Sequence, residues 1–115
     1  MDLPAHRLDD QLAVAPQLTP EAMAAAAAAG YRSVINNRPD YEGGSDQPTN
    51  AAMESAARAA GLEYAFLPVL GAYQTPEQAQ ALAALMRELP KPVLAFCRTG
   101  TRSAKLYAMA RQLGG

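Results

Sequence analysis

Four short apolar segments, each followed by a helix-like segment, set the strongest limit on how this chain can fold. The predicted strands are Leu12–Ala15, Ser33–Asn36, Glu63–Val69 and Val93–Phe96. A strand-helix order repeated four times favours a mainly parallel sheet with helices on both faces. We therefore predict an α/β fold with a small parallel four-stranded sheet flanked by helices. The strand that ends at Phe96 is expected in the interior, because it is apolar on both faces.

Helix-start signals lie where this alternation needs them. Thr19 is a cap residue with Pro20 after it, which predicts a first helix that continues to Ala29. Thr49 begins a second helix. Thr75 begins a third, with Gln78 placed to complete a capping box. The last helix is expected to start at Arg102 or Ser103.

Composition narrows the class of protein. The 115 residues suit one domain, 1–115, with a core at about 12–113. A net charge of -1 argues against a nucleic-acid surface, and the longest apolar run is too short to span a membrane. The single cysteine fits a reducing compartment, so we expect a cytoplasmic protein. No cluster has metal-ligand spacing, and no cofactor is expected.

The segment that carries chemistry is PVLAFCRTGTRS at 92–103. Here an apolar strand runs into a loop led by Cys97, and a helix follows at once. Unpaired N–H groups at a helix start bind anions, and Gly100 lets the loop curl around one. Arg102 can hold two anion oxygens with its planar fork. The residues expected to bind the anion, chiefly through the loop amides, are Arg98, Thr99, Gly100, Thr101 and Ser103.

The same position activates Cys97. A thiol at a helix N-terminus near arginines has a lowered pKa and becomes a thiolate, the reactive form. Hydroxyl groups of Thr101 and Ser103 can donate hydrogen bonds to the sulfur. The alternative is that Cys97 is a buried structural thiol, which is the commoner role of a lone cysteine.

These motifs resemble a known family. CRTGTRS is similar to the Cys-x5-Arg-Ser/Thr loop of cysteine-dependent phosphatases and to the rhodanese loop. Together with GYRSVINNRPD and GLEYAFLPV, it resembles the bacterial beta-lactamase-hydrolase-like phosphatase domain, also described as a sulfur transferase family. The resemblance covers about residues 12–113 and implies a dual-specificity-phosphatase-like fold. It implies Cys97 as nucleophile, Arg102 as anion clamp and Ser103 as the hydroxyl beside the clamp.

Two departures from the phosphatase pattern stand out. Four residues separate Cys97 from Arg102 rather than five, which makes a smaller cradle, closer to that of rhodaneses. Phe96 stands where tyrosine phosphatases carry a histidine. The general acid is open: Asp40 is the best-placed carboxylate, with Glu42 and Asp46 behind it, although turn chemistry alone would explain Asp40.

Three functions remain open at this point. The first is a phosphatase that forms a phosphocysteine at Cys97 and takes its proton from Asp40. The second is a sulfurtransferase that carries a persulfide on Cys97, which needs no general acid. The third is a non-catalytic anion-binding module. In each case the expected partner is a small anionic substrate or a phosphoprotein. A homodimer is a reasonable expectation, because it is the commonest oligomer of soluble proteins.

Overall fold

The structure, a computed structural model, describes residues 3–71 and 74–113. It consists of a sheet with helices packed on both faces. The elements in chain order are β1 (His6–Arg7), β2 (Leu12–Ala15), α1 (Ala22–Ala28), β3 (Ser33–Asn36), α2 (Asn50–Ala59), β4 (Glu63–Phe66), α3 (Pro76–Glu88), β5 (Val93–Phe96) and α4 (Thr101–Gln112).

The sheet has the strand order β1-β2-β5-β3-β4. Strands β2, β5, β3 and β4 are parallel, and β5 lies at the centre, as predicted. The predicted count of four strands is corrected to five, because β1 pairs with β2 antiparallel. Asp9 makes this pairing feasible: its Oδ1 accepts hydrogen bonds from the Gln11 and Leu12 N–H groups and closes the turn between the two strands.

Alternate residues of each strand enter two separate cores, since successive side chains of a strand point to opposite faces. On one face Leu94 and Phe96 pack with α1 and α2. On the other, Val93 and Ala95 pack with α3 and α4. Strand β5 is therefore buried on both sides, which explains why its sequence is apolar throughout.

The sequence signals predicted which helices and strands are present more accurately than they predicted the residues at which these elements begin and end. The capping box of α3 is confirmed, with Thr75 Oγ1 accepting from Gln78 N and Gln78 Oε1 accepting from Thr75 N. The first helix begins later than predicted, at Ala22, whose N–H donates to Thr19 Oγ1. Strand β4 ends at Phe66 rather than at Val69, and α4 begins at Thr101.

Parallel pairing brings the carboxyl ends of four strands to one edge of the sheet. The segments that leave β2, β3, β4 and β5 therefore start side by side, which is where α/β folds bind ligands. Within residues 3–71 and 74–113, no helix combines the length and the apolar character needed to cross a bilayer.

Candidate active site

The Cys97 loop joins the central strand β5 directly to α4, and Gly100 makes this tight connection feasible. Gly100 caps α4 in the left-handed region, with φ of 93°. A Cβ at this position would also lie 3.4 Å from the backbone carbonyl carbon of Ala15 on the neighbouring strand. This distance is an ordinary van der Waals contact, so the left-handed backbone conformation is what calls for glycine here.

Cys97 is fully buried beneath this loop, and its sulfur is a hydrogen-bond acceptor. The Gly100 N–H donates to Cys97 Sγ at 3.0 Å. Burial raises the pKa of the thiol, but hydrogen bonds from Ser103, Thr99 and Gly100 outweigh it, so the pKa lies below its ordinary value. The loop thus stabilises a thiolate, the form that acts as a nucleophile.

Ser103 is tied to a residue that the sequence analysis did not single out. The buried Asn37, directly after β3, donates from Nδ2 to the Leu67 carbonyl at 2.9 Å. Its Oδ1 is therefore left as an acceptor, and the Ser103 hydroxyl donates to it at 2.7 Å. The hydroxyl has only one proton, so Asn37 and the Cys97 sulfur compete for it. Its position in the sequence could have identified Asn37, because it directly follows the predicted strand that lies next to β5 in the sheet.

Arg102 reaches from α4 across to the loop after β3, where Glu42 meets it with both carboxylate oxygens. Arg102 Nη1 donates to Glu42 Oε2 at 2.9 Å, and Nη2 donates to Oε1 at 2.7 Å. Nη1 also donates to the Val69 carbonyl at 3.0 Å. These bonds use both Nη1 protons and one Nη2 proton. The Nε–H and the second Nη2–H, which form the side edge of the guanidinium, make no hydrogen bond within the described residues.

Glu42 also contacts a second arginine. Arg38 Nε donates to Glu42 Oε1 at 3.0 Å, and Arg38 Nη1 donates to Gln17 Oε1 at 3.1 Å. The contact with Arg102 lowers the pKa of Glu42, burial opposes this, and Arg38 adds to the lowering, so that the net pKa lies below its usual value. The same contact raises the pKa of Arg102. The carboxylate is therefore ionised in this arrangement.

These side chains surround an open cavity of about 540 Å³. The residues that line it are Arg38, Glu42, Gly43, Arg98 and Arg102. Every side chain among them is charged, apart from the glycine. The cavity suits an anionic group rather than an apolar one. Within the described residues, no three His, Cys, Asp or Glu side chains are grouped so as to hold a metal ion.

The structure brings most of the predicted loop residues together. Arg98 and Arg102 line the cavity, while Cys97, Gly100 and Ser103 are buried and are not part of its lining. The Thr99 and Thr101 hydroxyls are exposed and contact each other at 3.2 Å.

The structure does not bring Asp40 to the lining of this cavity. The Asp40 carboxylate is exposed, and its Oδ1 accepts from the Asn50 N–H at 2.6 Å, at the start of α2. This contact is a helix cap, because the first N–H groups of a helix have no partner within it. Glu42, two residues further along, is the carboxylate that reaches the arginines.

A Cys-led loop between the central strand of a parallel sheet and a helix, with an arginine beyond it, defines a phosphatase-like α/β domain. The sequence pattern of the family described as "Beta-lactamase hydrolase-like protein, phosphatase-like domain" matches residues 5–114. The chain belongs to this family.

A curated relative adds detail. The beta-lactamase hydrolase-like protein of Agrobacterium fabrum is 39% identical over 111 residues. The match takes in 96% of this chain but only 26% of the relative. The chain thus spans about a quarter of the length of the curated relative it matches.

Solved structures agree on the fold. A crystal structure of a candidate phosphatase from Neisseria meningitidis superposes with a TM-score of 0.88 at 31% identity, over 99% of this chain and 80% of that one. The TpbA protein of Pseudomonas aeruginosa, solved with phosphotyrosine, has a TM-score of 0.65 at 17% identity, over 94% of this chain and 62% of that one. The more distant likeness shows a shared fold only.

Proposed function

We propose that this domain is a cysteine-dependent phosphatase that hydrolyses a phosphate ester through a phosphocysteine at Cys97. The observation that carries the proposal is the hydrogen bond from Gly100 N–H to Cys97 Sγ, made at the start of α4 beside the arginine-lined cavity. A stabilised thiolate therefore lies close to a site that can bind the phosphoryl oxygens. The membership of a phosphatase-like family supports the same chemistry.

In the first step the Cys97 thiolate attacks phosphorus. The S–P bond forms while the P–O bond to the leaving group breaks, and the leaving oxygen takes a proton from a carboxylic acid. The loop N–H groups and the side edge of Arg102 stabilise the equatorial oxygens. In the second step the carboxylate formed in the first step takes a proton from a water molecule, whose oxygen attacks phosphorus. The S–P bond breaks, which releases inorganic phosphate, the Cys97 thiolate and the regenerated carboxylic acid. Cys97 is fully buried in this arrangement, so its sulfur must become accessible before it can attack.

The proton donor is proposed from the loop after β3. Asp40 is the donor predicted from the sequence, and it must release the Asn50 N–H in order to act. Glu42 lines the cavity, but its two arginine contacts hold it ionised. A carboxylate held in that form is a poor acid, so Asp40 remains the proposed donor.

The test compares esters with good and poor leaving groups. Cys97→Ser should abolish turnover of both an aryl phosphate and an alkyl phosphate. Asp40→Asn should lower alkyl phosphate turnover by about a hundredfold, the usual share of general acid catalysis, and affect the aryl phosphate much less. Asp46→Asn, an exposed carboxylate of the same loop, is the matched control and should change neither rate.

The same proteins separate phosphoryl transfer from sulfur transfer, the alternative that the short spacing between Cys97 and Arg102 suggested from the sequence. Wild-type protein should be assayed in parallel with thiosulfate and cyanide. Turnover of thiosulfate without turnover of either phosphate ester would refute the phosphatase. Equal rates for Asp40→Asn and wild type on the alkyl phosphate would remove Asp40 as the donor.

A further inference from the structure

Three arginines present guanidinium groups to one cavity that contains a single carboxylate. Arg38, Arg98 and Arg102 all line the cavity, and Glu42 is the one acidic residue among its lining. One carboxylate balances one arginine, so the lining carries an excess of two positive charges. One phosphoryl dianion would balance this charge, but if the loop amides and Arg102 hold it, the donors of Arg38 and Arg98 are left unused.

Arg38 is the least expected of the three, because it is almost entirely buried. Its side chain is 10% exposed, and burying a guanidinium is costly unless it is paired. Gln17 and Glu42 hold Nη1 and Nε, which fixes the orientation of the group. Arg38 Nη2 makes no hydrogen bond within the described residues, yet it is not one of the fully enclosed polar atoms. Nη2 is therefore accessible, and it lies beside Gly43, another residue that lines the cavity.

Arg98 adds a further cation to the lining of this cavity. Its side chain is exposed, and it makes no ion pair within the part of the chain that the structure describes. It follows Cys97 directly, so its backbone belongs to the anion loop, and the residue lines the cavity. Free donors of Arg38 and Arg98 are thus available beside those of Arg102.

The cavity is also larger than one phosphoryl group needs. Its volume of about 540 Å³ leaves room for a further small group beside a phosphoryl group. Its lining offers charge rather than apolar surface. A ligand that uses the free donors of Arg38 and Arg98 as well as those of Arg102 would carry negative charge in more than one place.

We propose that the substrate carries a second anionic group next to the phosphoryl group that reacts, and that Arg38 and Arg98 bind this second group. The inference rests on the proposed function only for the statement that one of the anions is a phosphoryl group. Phosphate and carboxylate are the chemistries that the planar guanidinium fork matches.

Binding measurements test this without turnover. Calorimetric titrations at constant ionic strength would compare orthophosphate with two double anions, methylenebisphosphonate and phosphonoacetate. We expect at least one double anion to bind wild-type protein about tenfold or more tightly than orthophosphate, because one charge-assisted hydrogen bond contributes roughly that factor or more. The two ligands distinguish a second phosphate from a second carboxylate.

Substitutions assign the effect to the arginines. Arg98→Met should reduce the ratio of double-anion affinity to orthophosphate affinity severalfold. Arg38→Met should do the same, and Arg38→Lys should restore part of the ratio. Arg87→Met, an exposed arginine of α3 that does not line this cavity, is the charge-matched control and should leave the ratio unchanged. The ratio is used because it is insensitive to a general loss of folded protein.

The outcomes separate this inference from the proposed function. Double anions that bind no better than orthophosphate would overturn the inference and leave the phosphatase intact. A ratio that falls equally in Arg87→Met would also overturn it, because net charge alone would then explain the preference. An intact ratio in a protein without phosphatase activity would support the inference and refute the proposed function. If neither class of anion bound at tens of millimolar, both would be wrong.

Discussion

The single proton of the Ser103 hydroxyl should control how much of Cys97 is ionised. Ser103 Oγ donates to Asn37 Oδ1 at 2.7 Å, and a hydrogen bond from the same hydroxyl to the sulfur lowers the pKa of Cys97. When the thiolate forms, the proton must turn toward sulfur, and the bond to Asn37 is lost. A neutral hydrogen bond of this kind contributes about 0.5–1.5 kcal/mol. The thiolate is therefore less favourable by that amount while Asn37 competes.

Asn37→Ala removes the competitor, so the ratio of thiolate to thiol should rise about two- to tenfold at a fixed pH. Ser103→Ala removes the donor, and the ratio should fall. The chain has one cysteine, so the ultraviolet absorbance of the thiolate, with Cys97→Ser subtracted, reports this group alone and does not require reagent access. Asn37→Ala also leaves the Leu67 carbonyl without its partner, so thermal unfolding should be recorded alongside.

The sign of the change decides between two roles for Asn37. If Asn37→Ala lowers the thiolate fraction in protein that remains folded at the titration temperature, the side chain holds Ser103 in place rather than competing for its proton. That result would refute the proton-sharing argument. An unchanged titration in Ser103→Ala would show that the loop N–H groups alone stabilise the thiolate.

Two further predictions concern the backbone of the site and its stability in acid. Gly100→Ala and Gly61→Ala should each destabilise the fold by about 1–2 kcal/mol in urea unfolding, since both have positive φ, of 93° and 84°. Only Gly100→Ala should also reduce the fraction of Cys97 that is thiolate. An equal reduction of that fraction in Gly61→Ala would contradict the role of the Gly100 N–H. Burial raises the pKa of Asp9, but hydrogen bonds from Tyr107 and two backbone N–H groups lower it by a larger amount. The net pKa therefore lies below its usual value. Its stabilisation is therefore present above the unfolded pKa of about 3.9 and lost as pH falls through the folded value. Asp9→Asn should lower the free energy of unfolding at pH 7 and leave it nearly unchanged in strong acid; equal losses at both would refute the linkage.

Local sequence determined the strand-loop-helix unit at the centre of this protein. The apolar run of β5, the glycine in the loop and the helix that follows are all signals between neighbours in the chain. They predicted the bounds of β5, Val93–Phe96, and its central place in the sheet. The capping box of α3 was predictable for the same reason, since Thr75 and Gln78 are only three residues apart.

Tertiary structure alone decided which side chains meet the Cys97 loop. Asn37 and Ser103 are 66 residues apart, and Glu42 and Arg102 are 60 apart. Their contacts depend on β3 and β5 being neighbours in the sheet. No local sequence pattern predicts that these two strands pair. The same is true of Asp40 and Glu42, two acids of one loop: a helix N-terminus that lacks hydrogen-bond partners holds Asp40, while two arginines hold Glu42. The sequence predicts the anion-binding backbone because the shape of the loop depends on residues that are adjacent in the chain. Which charged side chains surround the anion depends instead on the order of the strands in the sheet.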